Sequence, residues 1–330
     1  MLKKGIIASL ICIGSLLLLL YFTSLFSISE LIYPNRVTVK SLTSEFHNLK
    51  KNELVIDKDI TVSPSQLNLT YRNFDVLIHD QFTLHGWYIT GEQPAKTTVL
   101  LLHDWNESKL SMIKAAEALY QLGFNICIID LPAHGESDGE KFIIDQSMNH
   151  CLEVVADSLF CLYETDNLAV VANGLSGIVA ASWTKVDGRN QCLILVDPVP
   201  GMTAKINELV KEKWNGLSML ISQFAQIMYH QKTGIDADSL NLQEYLGQLR
   251  TPLLVAISDS ATDIEIIESV RIFESAKSPN KKIWTNQTRS FIRIDTDAEK
   301  NMFRAMAAFI NSNISSDKPK IKVRKRIAAL

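Results

Sequence analysis

The alternation of two kinds of segment is the feature that most constrains the fold of this 330-residue chain. After Tyr71, eight runs are typical of β-strands, from NFDVLIH and FTLHGWYI through TTVLLLH, NICIID, LAVVA, CLILVD and PLLVAI to SFIRID. Between many of them apolar residues recur with helical spacing, as in SKLSMIKAAEALYQLG. Apolar strands that alternate with such helices predict an α/β fold with a mostly parallel eight-stranded sheet covered on both faces. The first two runs interleave polar residues and predict an antiparallel hairpin at one edge.

The N-terminus carries a long uncharged segment. After Lys3 and Lys4, residues 5–27 read GIIASLICIGSLLLLLYFTSLFS. At about 1.5 Å per residue, a helix of this length can cross a hydrocarbon core of about 30 Å. We interpret it as an uncleaved transmembrane signal anchor. A cleaved signal peptide is the alternative, although its apolar region is usually only about 7–15 residues long.

The two lysines predict the topology of the chain. Positive residues favour the cytoplasmic side of a membrane, so residues 1–4 are expected in the cytoplasm. Everything after Ser27 is then extracytoplasmic, in a periplasm or a lumen. Residues 28–70 are mixed and moderately polar, which indicates a connector or stalk, and residues 71–313 contain the α/β pattern.

One insertion interrupts the alternation of strands and helices. Residues 201–250, between CLILVD and PLLVAI, have a helical pattern of their own. An insertion at this point covers the carboxyl ends of the strands, where ligands bind in such sheets. We interpret it as a helical lid over a pocket; the alternative is a helical decoration packed on the core.

Residues 314–330 form a basic C-terminal tail. Its positive side chains are Lys318, Lys320, Lys322, Arg324, Lys325 and Arg326. Such a cluster can hold an anionic lipid surface or a partner, and a solvated tail is the alternative. No specific nucleic-acid partner is expected. Because neither C-x-x-C nor H-E-x-x-H spacing occurs, no metal and no cofactor are predicted.

The segment GESDG, residues 135–139, matches the G-x-S-x-G pattern around the nucleophilic serine of many hydrolases. That serine needs a strained strand–turn–helix, where the start of a helix aims backbone N–H groups at the developing oxyanion. Ser137 is followed by Asp138, Gly139 and Glu140, with no apolar helix start. We therefore interpret Ser137 as a turn hydroxyl that bonds to its own backbone.

Five segments, in this order, resemble the α/β-hydrolase fold, particularly its membrane-anchored serine esterase-like and peptidase-like branch: LHGWYI, VLLLHDWNES, IIDLPAHGESDGE, LAVVANGLSGIVAASW and PLLVAISDSATDI. The resemblance implies that GESDG lies in the loop after the fourth strand, which shapes the top of the sheet. It places the nucleophile elbow at residues 172–177. The nucleophile position then falls on Gly174, which has no side chain. Ser176 lies two residues into the following helix, where its hydroxyl is expected to point away from the elbow.

The resemblance also implies where a base and an acid would stand. The family's histidine follows the last strand, but none of the seven histidines of this chain follows His230. In its place, Thr296 and Glu299 predict a capping box for the final helix. The acid position remains open between Ala261 and Asp263.

The turn that supplies the oxyanion site is changed as well. Asp104 stands where the family has a glycine, in the segment His103–Asp104–Trp105. A carboxylate there would oppose the charge that the site should stabilise, or it would bond to backbone amides in the turn. The predicted vestigial pocket contains His103, Asp104, Trp105, Asn173, Gly174, Leu175 and Ser176.

These observations favour a membrane-tethered, catalytically inactive α/β-hydrolase-like protein. Its expected partner is a protein or a small apolar ligand, and a structural role in a membrane complex is a related hypothesis. The alternative is an active serine hydrolase that uses Ser176 or Ser137, with His103 or His134 nearby as the base. In that case Asp263 is the candidate acid.

Overall fold

The computed structural model describes residues 2–38, 41, 63–78, 82–90, 95–163, 165–285 and 298–314. Within them one eight-stranded sheet organises the chain. Its strands are β1 (Tyr71–Ile78), β2 (Phe82–Ile89), β3 (Thr97–Leu102), β4 (Asn125–Ile129), β5 (Asn167–Asn173), β6 (Asn190–Val196), β7 (Leu253–Ile257) and β8 (Lys281–Thr285). The spatial order is β1-β2-β4-β3-β5-β6-β7-β8. β2 is antiparallel to β1 and β4, and every other pair is parallel, which confirms the predicted sheet and its antiparallel first hairpin.

The last strand of this sheet differs from the predicted one. β8 has the sequence KKIWT and pairs in parallel with β7, so that Ile283 lies opposite Val255. The segment SFIRID, which its apolar pattern predicts as this strand, lies outside the described residues. The sequence pattern of β8 is weak because it is an edge strand. An edge strand tolerates lysines and needs no continuous apolar run.

Helices cover both faces of the sheet, as predicted. They are α1 (Leu2–Ile32), α2 (Ile113–Gln121), α3 (Gln146–Leu162), α4 (Ser176–Val186), α5 (Met202–Trp214), α6 (Ser218–Thr233), α7 (Leu242–Leu246), α8 (Asp263–Ser275) and α9 (Ala298–Asn313). Alternate residues of β3 enter opposite cores: Leu100 and Leu102 pack with α3 and α4, while Val99 and Leu101 pack with α2 and α9. Burial on both faces explains why the central strands are apolar throughout.

Helix α1 joins the folded domain at its C-terminal end. Residues 4–32 are long and apolar enough to cross a membrane, by length and composition only. From Leu20 onward, however, one face of the helix is buried in the larger core together with Ile28, Leu31 and Ile32. Residues 28–32, which the sequence assigns to the connector, continue the helix and pack on the domain.

The chain after α1 also contacts the domain. The Arg36 guanidinium donates hydrogen bonds to the carbonyl oxygens of Gly135, Ser137 and Gly139. The start of the predicted connector is therefore held against the GESDG loop. Residues 42–62, Thr296 and the basic tail lie outside the described residues, so the rest of the connector, the predicted capping box and the tail are not described.

The 201–250 segment is helical, as its sequence pattern predicts. Its helices α5 and α6 pack against each other and against α1. Side chains such as Val210 of α5 and Ile221 of α6 belong to the same core as Ile28 of α1. The insertion and the N-terminal helix therefore form one packed unit at this end of the molecule.

Candidate functional site

The turn between β5 and α4 has the shape of a nucleophile elbow. Strand β5 ends at Asn173, helix α4 begins at Ser176, and only two residues connect them. Gly174 has φ of 55°, a left-handed conformation that glycine adopts without steric cost. A Cβ on Gly177 would lie 3.3 Å from the Leu195 side chain, so the helix start packs closely on β6. The strand, sharp turn and helix are those that present a nucleophile in hydrolases, but position 174 has no side chain.

The Asp104 carboxylate lies over this elbow. A Cβ on Gly174 would overlap the carboxyl carbon and both carboxyl oxygens of Asp104. Oδ1 of Asp104 accepts hydrogen bonds from the backbone N–H of Leu175 at 2.6 Å and from that of Trp105 at 2.7 Å. The space that a nucleophile would need is therefore filled by a side chain from the loop after β3.

The two amides that hold Asp104 correspond to an oxyanion hole. In hydrolases with a nucleophile elbow, one donor is the N–H of the residue after the nucleophile, and the other comes from the loop after the third strand. Leu175 and Trp105 occupy these two places. In those hydrolases the two donors stabilise a tetrahedral intermediate, whereas in this chain the corresponding amides bind the Asp104 carboxylate. Of the two interpretations of Asp104, the hydrogen bonds correspond to the one in which it bonds backbone amides.

The surroundings of Asp104 change its acidity. Burial raises the pKa of Asp104 to about 6, against the opposing effects of the Leu175 amide and the nearby Lys205 ammonium. Lys205 comes from α5, lies 5.3 Å from the centre of the Trp105 ring and pairs with Glu208 at 2.9 Å. Near neutral pH the group is mainly a carboxylate, and it protonates in mildly acidic solution.

Trp105 joins the elbow to the N-terminal helix. Its indole N–H donates to the carbonyl oxygen of Leu31 at 3.1 Å, in the last turn of α1. Carbonyls in the last turn of a helix have no partner within the helix, so this bond satisfies one of them. The neighbouring carbonyl, that of Ile32, accepts the N–H of Phe142 at 2.8 Å. The end of α1 and helix α5 therefore cover the Trp105 side of the elbow.

In both candidate histidines, each of the two ring nitrogens is hydrogen-bonded to a backbone atom. His103 Nδ1 lies 2.7 Å from the carbonyl oxygen of Asp104, and its Nε2 accepts the N–H of Leu131 at 3.0 Å. His134 is held in the same way, with Nδ1 3.0 Å from the Pro132 carbonyl oxygen and Nε2 accepting the Asn106 N–H at 3.2 Å.

This arrangement keeps both rings neutral. Each ring donates from one nitrogen and accepts at the other, which is the pattern of a neutral imidazole. Burial lowers the pKa of His103 to about 4 and that of His134 to about 3. Because both nitrogens of each ring are bonded to backbone atoms, neither ring is placed to activate a serine.

Ser137 is buried in the loop after β4. Its Oγ donates to the carbonyl oxygen of Asp130 at 2.7 Å and accepts the N–H of His85 at 2.8 Å. Its neighbour Gly135 adopts φ of 49°. The hydroxyl therefore ties the loop to β2 and β4, and it is not exposed at the elbow.

The loop around Ser137 is built on a buried ion pair. Asp130 accepts from Lys109 Nζ at 2.5 Å and from the Glu136 N–H at 2.9 Å, and both charged side chains of the pair are almost fully buried. A Cβ on Gly135 would overlap the Asp130 carboxyl group. Sequence reasoning missed this pair. Its signal was an aspartate at the end of the apolar run NICIID, followed within five residues by glycine.

The Ser176 hydroxyl bonds to the backbone, and the two acid candidates lie at the start of α8. The Ser176 hydroxyl is buried and donates to the carbonyl oxygens of Leu102 and Asn173 at 3.1 and 2.8 Å. Asp263 is the first residue of α8, directly after the N-cap Thr262. Ala261 lies in the turn before it, where its N–H donates to the Ser258 carbonyl oxygen.

Another half-buried aspartate lies at the carboxyl end of a central strand, and it was not among the predicted site residues. Asp197 follows β6 with φ of 42°, and its Oδ1 accepts the Ser258 N–H at 2.8 Å. Burial raises its pKa.

Among the described residues, no group of three His, Cys, Asp or Glu side chains could hold a metal ion. A cavity of about 290 Å³ lies at the base of the 201–250 segment, and none of the elbow residues lines it.

Comparison with known proteins identifies the fold. No family model and no curated protein matches the sequence. Among solved structures, an esterase from Pyrococcus furiosus is 17% identical with a TM-score of 0.61, over 86% of this chain and 99% of the esterase. An α/β-hydrolase from a Penicillium species is 16% identical with a TM-score of 0.56, over 74% of this chain and 99% of that protein. A protein from Pseudomonas aeruginosa is 14% identical with a TM-score of 0.54, over 79% of this chain and 99% of that one.

The chain therefore has the α/β-hydrolase fold, which confirms the predicted fold class. At these identities the likeness extends to the fold and not to the activity, because one fold hosts many functions.

Proposed function

We propose that this protein is a membrane-tethered α/β-hydrolase-like protein that has lost acyl transfer and acts by binding a partner. The observation that carries the proposal is the Asp104 carboxylate bound to the Leu175 and Trp105 amides over Gly174. An acyl-transfer transition state needs those same two donors for its oxyanion. Any substrate would therefore have to displace a carboxylate that belongs to the chain.

Two further parts of the reaction are missing. Position 174 has no side chain to attack a carbonyl, and no histidine follows His230. In a serine protease, loss of the nucleophile or the base alone lowers kcat by about 10⁶-fold. The hydroxyls of Ser137 and Ser176 both donate to backbone carbonyls, which supports the inactive protein over the alternative of an active serine hydrolase.

A fluorophosphonate serine probe tests the loss of activity. We expect the full-length protein in detergent to form no adduct and to hydrolyse no short acyl ester above the background rate. Ser137→Ala and Ser176→Ala serve as paired controls. An adduct or turnover that one of these substitutions abolishes, with the fold intact, would establish the active hydrolase instead.

The proposed tether is helix α1. It supports single-pass anchorage through its length, its apolar surface and the two lysines that precede residue 5. In native membranes we expect the protein to resist extraction by alkaline carbonate. Protease added from the extracytoplasmic side should reach the domain, and digestion only from the cytoplasmic side would reverse the proposed topology.

The proposed partner is a protein that docks at the elbow end of the sheet. Ile264 and Ile267 are exposed on α8, which begins after the carboxyl end of β7, at the same edge as the elbow. Neighbouring exposed apolar side chains often mark an interaction site. A small apolar ligand, and an anionic lipid or partner at the basic tail, are related proposals.

Photocrosslinking in native membranes tests the docking surface. A photoreactive residue at Ile264 should give a discrete adduct with a protein, which mass spectrometry then identifies. The matched control is Val186, an exposed apolar residue at the far end of α4. Equal adducts from both positions, or none from Ile264, would argue against a docking site on α8.

A further inference from the structure

Helix α1 leaves the folded domain beside the turn between α5 and α6. Three contacts follow one another along it. Glu30 pairs with Lys213, Ser27 Oγ accepts the Trp214 indole N–H at 3.2 Å, and Ser24 Oγ donates to the Ile221 carbonyl oxygen at 3.1 Å. Towards the N-terminus of α1, its partner thus changes from the end of α5 to the start of α6.

The start of α6 lies beside the part of α1 that leaves the domain. Ile221, in the first turn of α6, accepts the hydrogen bond of Ser24 through its carbonyl oxygen. The side chain of Ile221 is buried in the same core as Ile28 of α1.

The turn at this point is apolar and exposed. Leu217 and Leu220 are exposed, and 74% of Met219 is accessible to solvent. On α1, at the same level, the aromatic side chains of Phe22 and Phe26 are exposed as well. Large apolar side chains exposed both on a helix and on a neighbouring turn are unusual on a protein that faces only water. The ammonium group of Lys213 lies 4.7 Å from the centre of the Phe26 ring, at the outer end of this region.

The length of α1 places this turn relative to a bilayer. Residues 5–24 span about 30 Å as a helix, which equals the thickness of a hydrocarbon core. If Gly5, next to Lys4, marks the inner boundary, the outer boundary falls near Ser24. Ser24 is the residue that contacts Ile221. The Glu30–Lys213 pair then lies about 9 Å further out, among headgroups and water.

We propose that the α5–α6 turn, with Leu217, Met219 and Leu220, inserts into the outer boundary of the same bilayer that α1 crosses. The occupant of this apolar turn is lipid, at the junction of headgroups and acyl chains, because the turn is exposed and lies beside Ser24, the residue of α1 that marks the outer boundary. The proposal rests on the membrane tether of the proposed function. The domain then contacts the bilayer at two places, α1 and the turn, and these two contacts fix its orientation relative to the membrane.

Site-specific fluorescence quenching tests the insertion. The full chain carries Cys12→Ser and Cys161→Ser, which remove the two exposed thiols, and one new cysteine labelled with NBD. The labelled variants are Met219→Cys, Leu10→Cys in the span and Val186→Cys. Val186 is 69% exposed and lies at the end of α4, which begins at the elbow edge and so ends at the opposite edge of the sheet. The background without a new cysteine shows whether the buried thiols react.

Each protein is reconstituted in phosphatidylcholine vesicles that contain a nitroxide-labelled lipid. We expect a nitroxide near the headgroup end of the acyl chain to reduce the fluorescence of the label at position 219. A nitroxide near the chain terminus should reduce that of position 10, and neither should affect position 186.

The outcomes separate the two proposals. If position 10 is quenched and position 219 is not, the inserted turn is wrong and the tether stands. If position 10 is not quenched by either lipid, the tether fails and the insertion fails with it. Quenching at position 186 equal to that at 219 would indicate general adsorption of the domain and would also overturn the inserted turn.

Discussion

The Asp104 carboxyl group occupies the volume that any side chain on Gly174 would need. The two residues are 70 positions apart in sequence, yet each limits the other. A nucleophile at position 174 requires a small residue at position 104, and an aspartate at 104 requires glycine at 174. The missing side chain at position 174 and the carboxylate on the Leu175 and Trp105 amides are therefore structurally linked at this elbow.

This relationship predicts a strong energetic coupling. Gly174→Ala should lower the free energy of unfolding by about 2–5 kcal/mol, since the left-handed backbone costs about 1–2 and the overlap about 1–3. Asp104→Gly should remove the overlap and leave the backbone term, so that the double variant recovers about 1–3 kcal/mol relative to additivity. Chemical denaturation of all four proteins in detergent measures this coupling.

The matched control for this cycle is Gly188→Ala. A Cβ at position 188 would meet no neighbouring atom within 4 Å, and Gly188 does not adopt a left-handed conformation. Its substitution should change stability by less than about 0.5 kcal/mol. Additive effects of Gly174→Ala and Asp104→Gly would show that the two positions do not share one space.

Asp104 also predicts a pH dependence of stability. Its pKa is about 6 in the folded protein and about 3.9 in the unfolded chain, so the folded state binds the extra proton between these values. The stabilisation is therefore complete below about pH 3.9 and is lost as the pH rises through 6. Asp104→Asn keeps an oxygen for the two amides but does not titrate.

The difference in stability between Asp104→Asn and the natural protein should rise from pH 4.5 to 7.5, with an upper limit of about 3 kcal/mol. Thermal unfolding across this range measures it. Asp166→Asn, at an exposed aspartate, is the comparison variant. A flat difference for Asp104→Asn would mean that burial does not affect the acidity of Asp104.

The two buried histidines predict the opposite trend in acid. Their folded pKa values of about 4 and about 3 lie below the unfolded value of about 6.5, so the unfolded chain gains protons first. Stability from each ring is present above pH 6.5 and is lost as the pH falls towards the folded pKa. At pH 4 each ring accounts for a loss of about 3 kcal/mol.

His134→Asn tests this effect, because its amide can still donate to the Pro132 carbonyl oxygen. The variant should be less stable than the natural protein at pH 7.5 and should lose less of its stability between pH 6.5 and 4. His230→Asn, at an exposed histidine on α6, is the comparison variant. Parallel pH profiles for the natural protein and His134→Asn would contradict the prediction.

Much of this architecture follows from local sequence, and the rest depends on contacts between distant segments. The central strands could be predicted because burial on both faces makes them continuously apolar. The elbow position followed from the resemblance to α/β-hydrolases. Strand β8 could not be predicted, since an edge strand carries a weak pattern. The direction of the Asp104 side chain could not be predicted either, because its amide partner Leu175 lies 71 residues away.

The buried face of the C-terminal half of α1 could not be recognised from the sequence either. Ser24, Ser27, Ile28 and Leu31 are spaced as one helix face, and this face contacts α5, α6 and Trp105. In a segment that is apolar on every side, no hydrophobic face stands out. The serines were the available signal, because a hydroxyl in such a helix needs an acceptor and a helix neighbour can provide one.

The Lys109–Asp130 pair predicts the stability of the GESDG loop. Asp130→Asn keeps the shape of the side chain but leaves the Lys109 ammonium without its buried counter-charge, beside the partly exposed Glu136 carboxylate and the Trp87 ring. Removing one member of a buried pair costs about 3–5 kcal/mol. Chemical denaturation should show a loss of this size.

Glu208→Gln is the matched control, because the Lys205–Glu208 pair has an exposed carboxylate and should contribute less than about 1 kcal/mol. Equal losses for the two variants would show that burial does not decide the strength of the pair.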